Sequence, residues 1–179
     1  LAGLVLYLIF NPSIVAAELT QHITRGSADS MDLARMFGEY YQLPGGSGAV
    51  TMPAAMMAEG FGTLLLVLMI FSLTEGCNLG RPDDSMAPIF IGLTVTSLIC
   101  LLAPLTQAGF NPARDFGPRM VAFLFGWGDA AFPDQTGGAF YVYILSPILG
   151  GQVAAFFFTK FLEPLMKKTK EPCKCENNL

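Results

Sequence analysis

Apolar residues in this chain fall into long blocks, and polar residues collect between the blocks. That is a helical membrane pattern, not the short alternation of a half-buried strand. Residues 53–74 (PAAMMAEGFGTLLLVLMIFSLT) and 139–162 (AFYVYILSPILGGQVAAFFFTKFL) are long enough to cross a bilayer, which takes about 20 residues. Residues 86–104 (MAPIFIGLTVTSLICLLAP) predict another spanning helix, closed by Pro104. The opening run, residues 1–10 (LAGLVLYLIF), is too short to span alone, and it has neither a Met nor the basic flank of a signal peptide. It reads as the end of a helix that starts upstream, in a longer protein of which this chain is a fragment. Asn11-Pro12-Ser13 then reads as a turn. Residues 11–52, polar and interrupted by Pro and Gly, read as a long loop outside the membrane, with short helical pieces around SMDLARMFGEYY.

Residues 105–126 differ in kind. Residues 105–110 predict extended backbone and 111–126 a short helix. Asn111 is a good N-cap, Pro112 suits the first helical position, and Gly126-Trp127-Gly128 ends the segment. Its 16 residues rise about 24 Å, short of the roughly 30 Å of hydrocarbon. A helix that begins at membrane depth leaves free N–H groups and a positive dipole end there. Lipid does not tolerate such backbone, but a water-filled cavity does. The segment therefore predicts a re-entrant half-helix lining a pore or substrate site, with Arg114 one turn inside it.

The composition, 53% hydrophobic and 13% charged, argues against an ordinary soluble domain. The net charge of −4 identifies no partner, and no basic stripe lies beside exposed aromatics, so nucleic-acid binding is not expected. No nucleophile–base pair, phosphate loop or cofactor motif is visible, and no enzyme, cofactor or resident metal is expected. The C-x-C pair Cys173/Cys175 lacks further ligands for a metal site, and with Cys77 and Cys100 it indicates no disulfide framework. Lys167, Lys168 and Lys170 place the tail, and with it loop 75–85, in the cytoplasm. The half-helix then enters from outside. Compact loops and a basic tail suggest a bacterial inner membrane.

NPARDFGPR, preceded by PLT and followed by GWG, resembles the major intrinsic protein family, the aquaporins and glycerol facilitators. The resemblance implies an all-α membrane protein, the aquaporin-like inverted-repeat helical bundle. This chain would be its second half: the end of helix three (1–10), helices four (53–74) and five (86–104), the half-helix (111–126), helix six (139–162) and a cytoplasmic tail (163–179). It also implies a partner half-helix upstream, meeting this one at the midplane, and a homotetramer with one pore per subunit.

Within that resemblance Asn111, with Pro112 and Ala113, caps the half-helix and points an NH₂ donor at passing hydroxyls. Arg114 donates to water or polyols and repels cations. The carbonyls of Gln107, Ala108 and Gly109 supply acceptors opposite Ile99. Glu59, a carboxylate inside a spanning helix, is a functional candidate. By resemblance it holds the re-entrant loop through backbone N–H groups; a snorkelling or proton-relaying Glu59 is the alternative. Asp115 and Arg119, an i,i+4 couple, and Pro147-Ile148 look like the glycerol-conducting branch. Ala108 and Ile99 depart from it, since aromatic and Gly residues are common there, and look like filters of plant vacuolar members that pass water, urea or ammonia.

The expected function is passive facilitation of glycerol, other small neutral solutes and water, with protons and ions excluded. The alternatives are a water, urea or ammonia channel, and a non-conducting membrane interaction protein. Phe110, Phe116, Phe123 and Phe125 are expected to pack; Trp127, Tyr141 and Tyr143 to anchor at the interface; His22 to be a solvated loop residue.

Overall fold

The computed structural model describes residues 1–41, 50–132 and 137–167, and these are helical with no strand among them. Helix α1 covers Ala2–Gln21. It corrects the expected turn at residues 11–13, because the helix runs straight through Asn11-Pro12-Ser13. Proline removes one backbone donor, but the apolar residues on both sides favour continuation, and membrane helices tolerate an internal proline. α1 ends at His22, which takes left-handed dihedrals (φ 55°) while the Ile23 N–H reaches back to the Glu18 carbonyl at 2.9 Å. His22 is exposed. Short helical turns at Ala28–Ser30 and Met31–Ala34 follow.

Helix α2 covers Met52–Thr74. Its N-cap is Thr51, whose hydroxyl accepts the Ala54 N–H, and Pro53 sits in its first turn. Helix α3 covers Ala87–Thr106 and ends on Gln107 in the left-handed region. Helix α4 is the short one, Pro112–Ala122, and it opens into a wide turn, Phe123–Trp127, in which Phe125 and Gly126 leave helical dihedrals. Helix α5 runs Gly138–Met166 with wide turns at Tyr141–Leu145 and Phe158–Leu162. It continues past residue 162 into the stretch read as tail, where Glu163 pairs with Lys167. Lys168, Lys170 and the C-x-C pair lie outside the described residues.

Length and hydropathy make α1, α2, α3 and α5 membrane-capable, whereas the 11 residues of α4 reach only about 16 Å. α2 is central, with α5 packed along one side and α3 along another. The α2–α5 crossing is close because both backbones lack a side chain there: a Cβ on Gly150 would run into the Gly60 carbonyl. α1 meets α4 in the same manner, at Gly3 against Pro118.

One buried cluster joins α1, the 34–40 loop and the far end of α4 through Ile14, Phe37, Tyr40 and Trp127. A second joins α2 and α3 to the re-entrant loop through Ala58, Leu98, Leu102, Ala108 and Phe110. Many large apolar side chains point outward, among them Leu93, Leu101, Phe156 and Leu165. That suits a surface facing lipid, which is as apolar as leucine.

Two further expectations are corrected. Trp127 and Tyr143 are buried, not interfacial. The Trp127 ring lies under the Arg25 guanidinium, 4.4 Å away, and the Tyr143 hydroxyl donates to the Thr106 carbonyl at 3.0 Å. Polar tertiary partners drew these aromatics inward, and of the trio only Tyr141 is exposed. Among the phenylalanines Phe110 packs inside, while Phe116, Phe123 and Phe125 are exposed. Cys77 is disulfide-bonded. Cysteine spacing along so apolar a chain carries no pairing signal. Cys100 is free and exposed.

Candidate functional site

The site is built where α3 stops and α4 starts. Pro112 pushes its predecessor out of the helical region, and Asn111 is extended (φ −147°, ψ 111°). The loop turns instead through Gln107, Ala108 and Phe110, all non-glycine residues at positive φ (63°, 60° and 54°). Such dihedrals persist only where the surroundings enforce them. The enforcing group is Glu59 of α2, fully buried. Its Oε1 accepts the Gly109 N–H at 3.0 Å and its Oε2 the Phe110 N–H at 2.6 Å. The Thr106 hydroxyl accepts the Ala108 N–H at 3.2 Å, and the Phe110 carbonyl accepts the Thr63 hydroxyl at 3.3 Å. Glu59 is therefore neither snorkelling nor solvated; it is spent on the loop backbone.

α4 then begins under Asn111, whose Oδ1 accepts the N–H groups of Ala113 (2.9 Å) and Arg114 (3.3 Å). Among the described residues the Asn111 amide NH₂ has no partner, and Asn111, Ala113 and Arg114 lie on an exposed face. Arg114 Nη1 donates to the carbonyls of Ala108 (3.0 Å) and Gly109 (3.2 Å). The Gln107 side chain faces elsewhere, accepting the Tyr40 N–H at 2.7 Å. Ala108 is buried in the core cluster, while its carbonyl accepts from Arg114. Ile99 packs against that same core cluster.

Behind this face Asp115 and Arg119 form a buried, two-pronged pair at 2.6 and 3.0 Å. Arg119 also donates to the carbonyls of Ala131 (2.6 Å) and Glu39, and Asp115 accepts the Glu39 N–H at 2.7 Å. The guanidinium lies 4.7 Å from the centre of the Tyr40 ring. The pair is thus a clasp that fixes the 37–41 loop to α4. Pro147 is buried in α5 and Ile148 is exposed on it.

A match to the family model described as "Major intrinsic protein" spans residues 5–158, most of the chain. The chain belongs to the major intrinsic protein family. Its all-α, aquaporin-like fold follows, and it is a membrane protein. The glycerol uptake facilitator of Pseudomonas aeruginosa is 34% identical over 98% of this chain and 61% of its own length. That of Escherichia coli K12 is 39% identical over 81% and 50%. The propanediol uptake facilitator of Salmonella typhimurium is 33% identical over 89% and 59%. The chain therefore spans between half and three-fifths of these relatives.

One residue of this major intrinsic protein site escaped the sequence reading. Glu39 sits in the loop before α2, and its Oε1 lies 2.7 Å from Arg114 Nη1. Burial pushes its carboxyl up to about 7, against the pull of Arg114, while Asp115 and Glu59 add to the rise. Glu39, Ala113, Arg114 and Gly117 share a cavity of about 440 Å³ with the start of α1. Arg25 was missed too. It ties α1 to the wide turn after α4, through Glu18 (2.7 Å) and the Phe125 carbonyl (3.3 Å). A loop charge looks solvated in sequence; the one hint at Glu39 was its position among Phe37, Tyr40 and Tyr41.

Proposed function

We propose that this chain forms part of a passive transmembrane channel for glycerol, similar small neutral solutes and water, with protons and ions excluded and no chemical step. The carrying observation is the half-helix start: an exposed Asn111 amide, Arg114 one turn further and seated on the Ala108 and Gly109 carbonyls, with Ala113 and Arg114 lining a cavity. Donors and acceptors lie together at a positive helix end, which suits hydroxyl groups and disfavours cations. The relatives' names, glycerol and propanediol uptake facilitators, support a small polyol.

In this reading Asn111, Pro112, Ala113 and Arg114 line the pore with the carbonyls of Gln107, Ala108 and Gly109. Ile99 supplies apolar wall, and Glu59, Asp115, Arg119, Pro147 and Ile148 give structural support. A homotetramer in a bacterial plasma membrane, with the C-terminus in the cytoplasm, completes it. A second reading, a water, urea or ammonia channel, is favoured by one feature: Ala108 puts no aromatic ring beside Arg114, and it is buried in the core cluster with Ile99 alongside.

Stopped-flow light scattering on the full-length protein in liposomes tests both. Fast reswelling in a glycerol gradient, lost in Asn111→Asp, is the expected result. Fast water shrinkage without glycerol reswelling would hand the protein to the second reading.

A further inference from the structure

Glu39 lies outside the spanning helices, yet its carboxylate reaches the first turn of α4. Its side chain is 13% exposed and that of Arg114 is 49% exposed, so the carboxylate backs the guanidinium from the protein side. Its backbone is held at both ends: the N–H donates to Asp115 and the carbonyl accepts from Arg119. The backbone from which the carboxylate reaches out is therefore fixed by the buried clasp. Arg114 Nη1 meets three acceptors, namely Glu39 Oε1 and the carbonyls of Ala108 and Gly109. Its two hydrogens are fully used. Among the described residues Nη2 and Nε carry no hydrogen bond, which leaves that edge of the guanidinium for a passing solute.

We propose that Glu39 is a specificity-determining residue of the pore: its carboxylate fixes which edge of Arg114 meets a permeating polyol, and flux follows its charge. This rests on the channel reading above. The charged and titratable groups around Glu39 are Arg114, Asp115 and Arg119 on α4, Glu59 on α2, Tyr143 on α5, and Arg35 in its own loop on the same cavity. Of these, Arg114 is the cation at ion-pair distance from its carboxylate.

With the carboxyl titrating at about 7, the ionised fraction falls from about nine-tenths at pH 8 to about one-tenth at pH 6. A protonated Glu39 no longer attracts the guanidinium. Arg114 then hangs on two carbonyls alone and leans into the cavity, where it obstructs the solute and binds it less well.

The test is glycerol reswelling of liposomes containing the full-length protein, with the same pH on both sides, at pH 6, 7 and 8. Reswelling should slow at least about threefold from pH 8 to pH 6, with a midpoint near neutrality. Glu39→Gln should lose that profile and stay near the parent's acid rate throughout. A flat parental profile, which needs no variant to observe, would overturn the proposal. So would a Glu39→Gln variant that keeps the parental profile. Rapid flux at pH 8 alongside a flat profile would leave the channel reading standing; no flux above empty liposomes at any pH would overturn both.

Discussion

Replacing Glu59 with Gln removes one acceptor from the group that holds the re-entrant loop. The loop carries three non-glycine residues in the left-handed region, a strain on the order of 1 kcal/mol or more each, about 3 kcal/mol together. The two hydrogen bonds from the Gly109 and Phe110 N–H groups, at about 1.5–3 kcal/mol each to a charged acceptor, offset it. Glutamine keeps one acceptor oxygen and turns an NH₂ toward the other N–H. A buried donor left unpaired costs about 2–3 kcal/mol. For a protein of this size that corresponds to a fall in thermal midpoint of about 5–10 °C, measured by tryptophan fluorescence or scattering in detergent. The same change lets the Ala108 and Gly109 carbonyls turn away, and Arg114 Nη1 loses its seat. Glycerol reswelling should then drop by about tenfold or more, equivalent to ~1.4 kcal/mol at the barrier. A Glu59→Gln protein that melts within about 1 °C of the parent and reswells at the parental rate would show that something else shapes the loop.

Arg119→Met strands the buried Asp115 carboxylate and should lower stability by about 3–5 kcal/mol, read as a thermal midpoint. The pair Asp115→Asn with Arg119→Met should recover part of the loss, and an unchanged midpoint in the single variant would deny the clasp its role. Arg114→Ala should admit protons or cations and shift solute preference, followed with a pH-sensitive dye trapped in liposomes; identical fluxes would remove Arg114 from the filter.

What could be read from the chain depended on how local the cause was. Asn111 and Pro112 make a helix start by their own chemistry, so the short α4 was visible before any contact was known. The same local logic misled at Asn11-Pro12, where a turn signal lost to the apolar residues on either side and α1 ran on to Gln21. The i,i+4 spacing of Asp115 and Arg119 announced a pair, but not its burial, because that depends on the Glu39 backbone and Ala131 arriving from distant segments. Trp127 and Tyr143 failed as interfacial anchors for a similar reason: the Arg25 guanidinium, stacked on the Trp127 ring face, and the Thr106 carbonyl, which accepts the Tyr143 hydroxyl, are remote in sequence. Glu39 was the hardest case. Its aromatic neighbours Phe37, Tyr40 and Tyr41 hint at burial, but nothing local pairs it with an arginine 75 positions away.

The left-handed turns at Gln107, Ala108 and Phe110 bear on the speed of transport as well as on its selectivity. A loop locked into that shape at folding has no conformational search left when a solute arrives. In the proposed channel each solute would meet a loop whose carbonyl directions are set at folding, with Arg114 already seated on those of Ala108 and Gly109. Passage past such a loop should have the shallow temperature dependence of diffusion, not the steep one of a protein that opens and closes for every molecule.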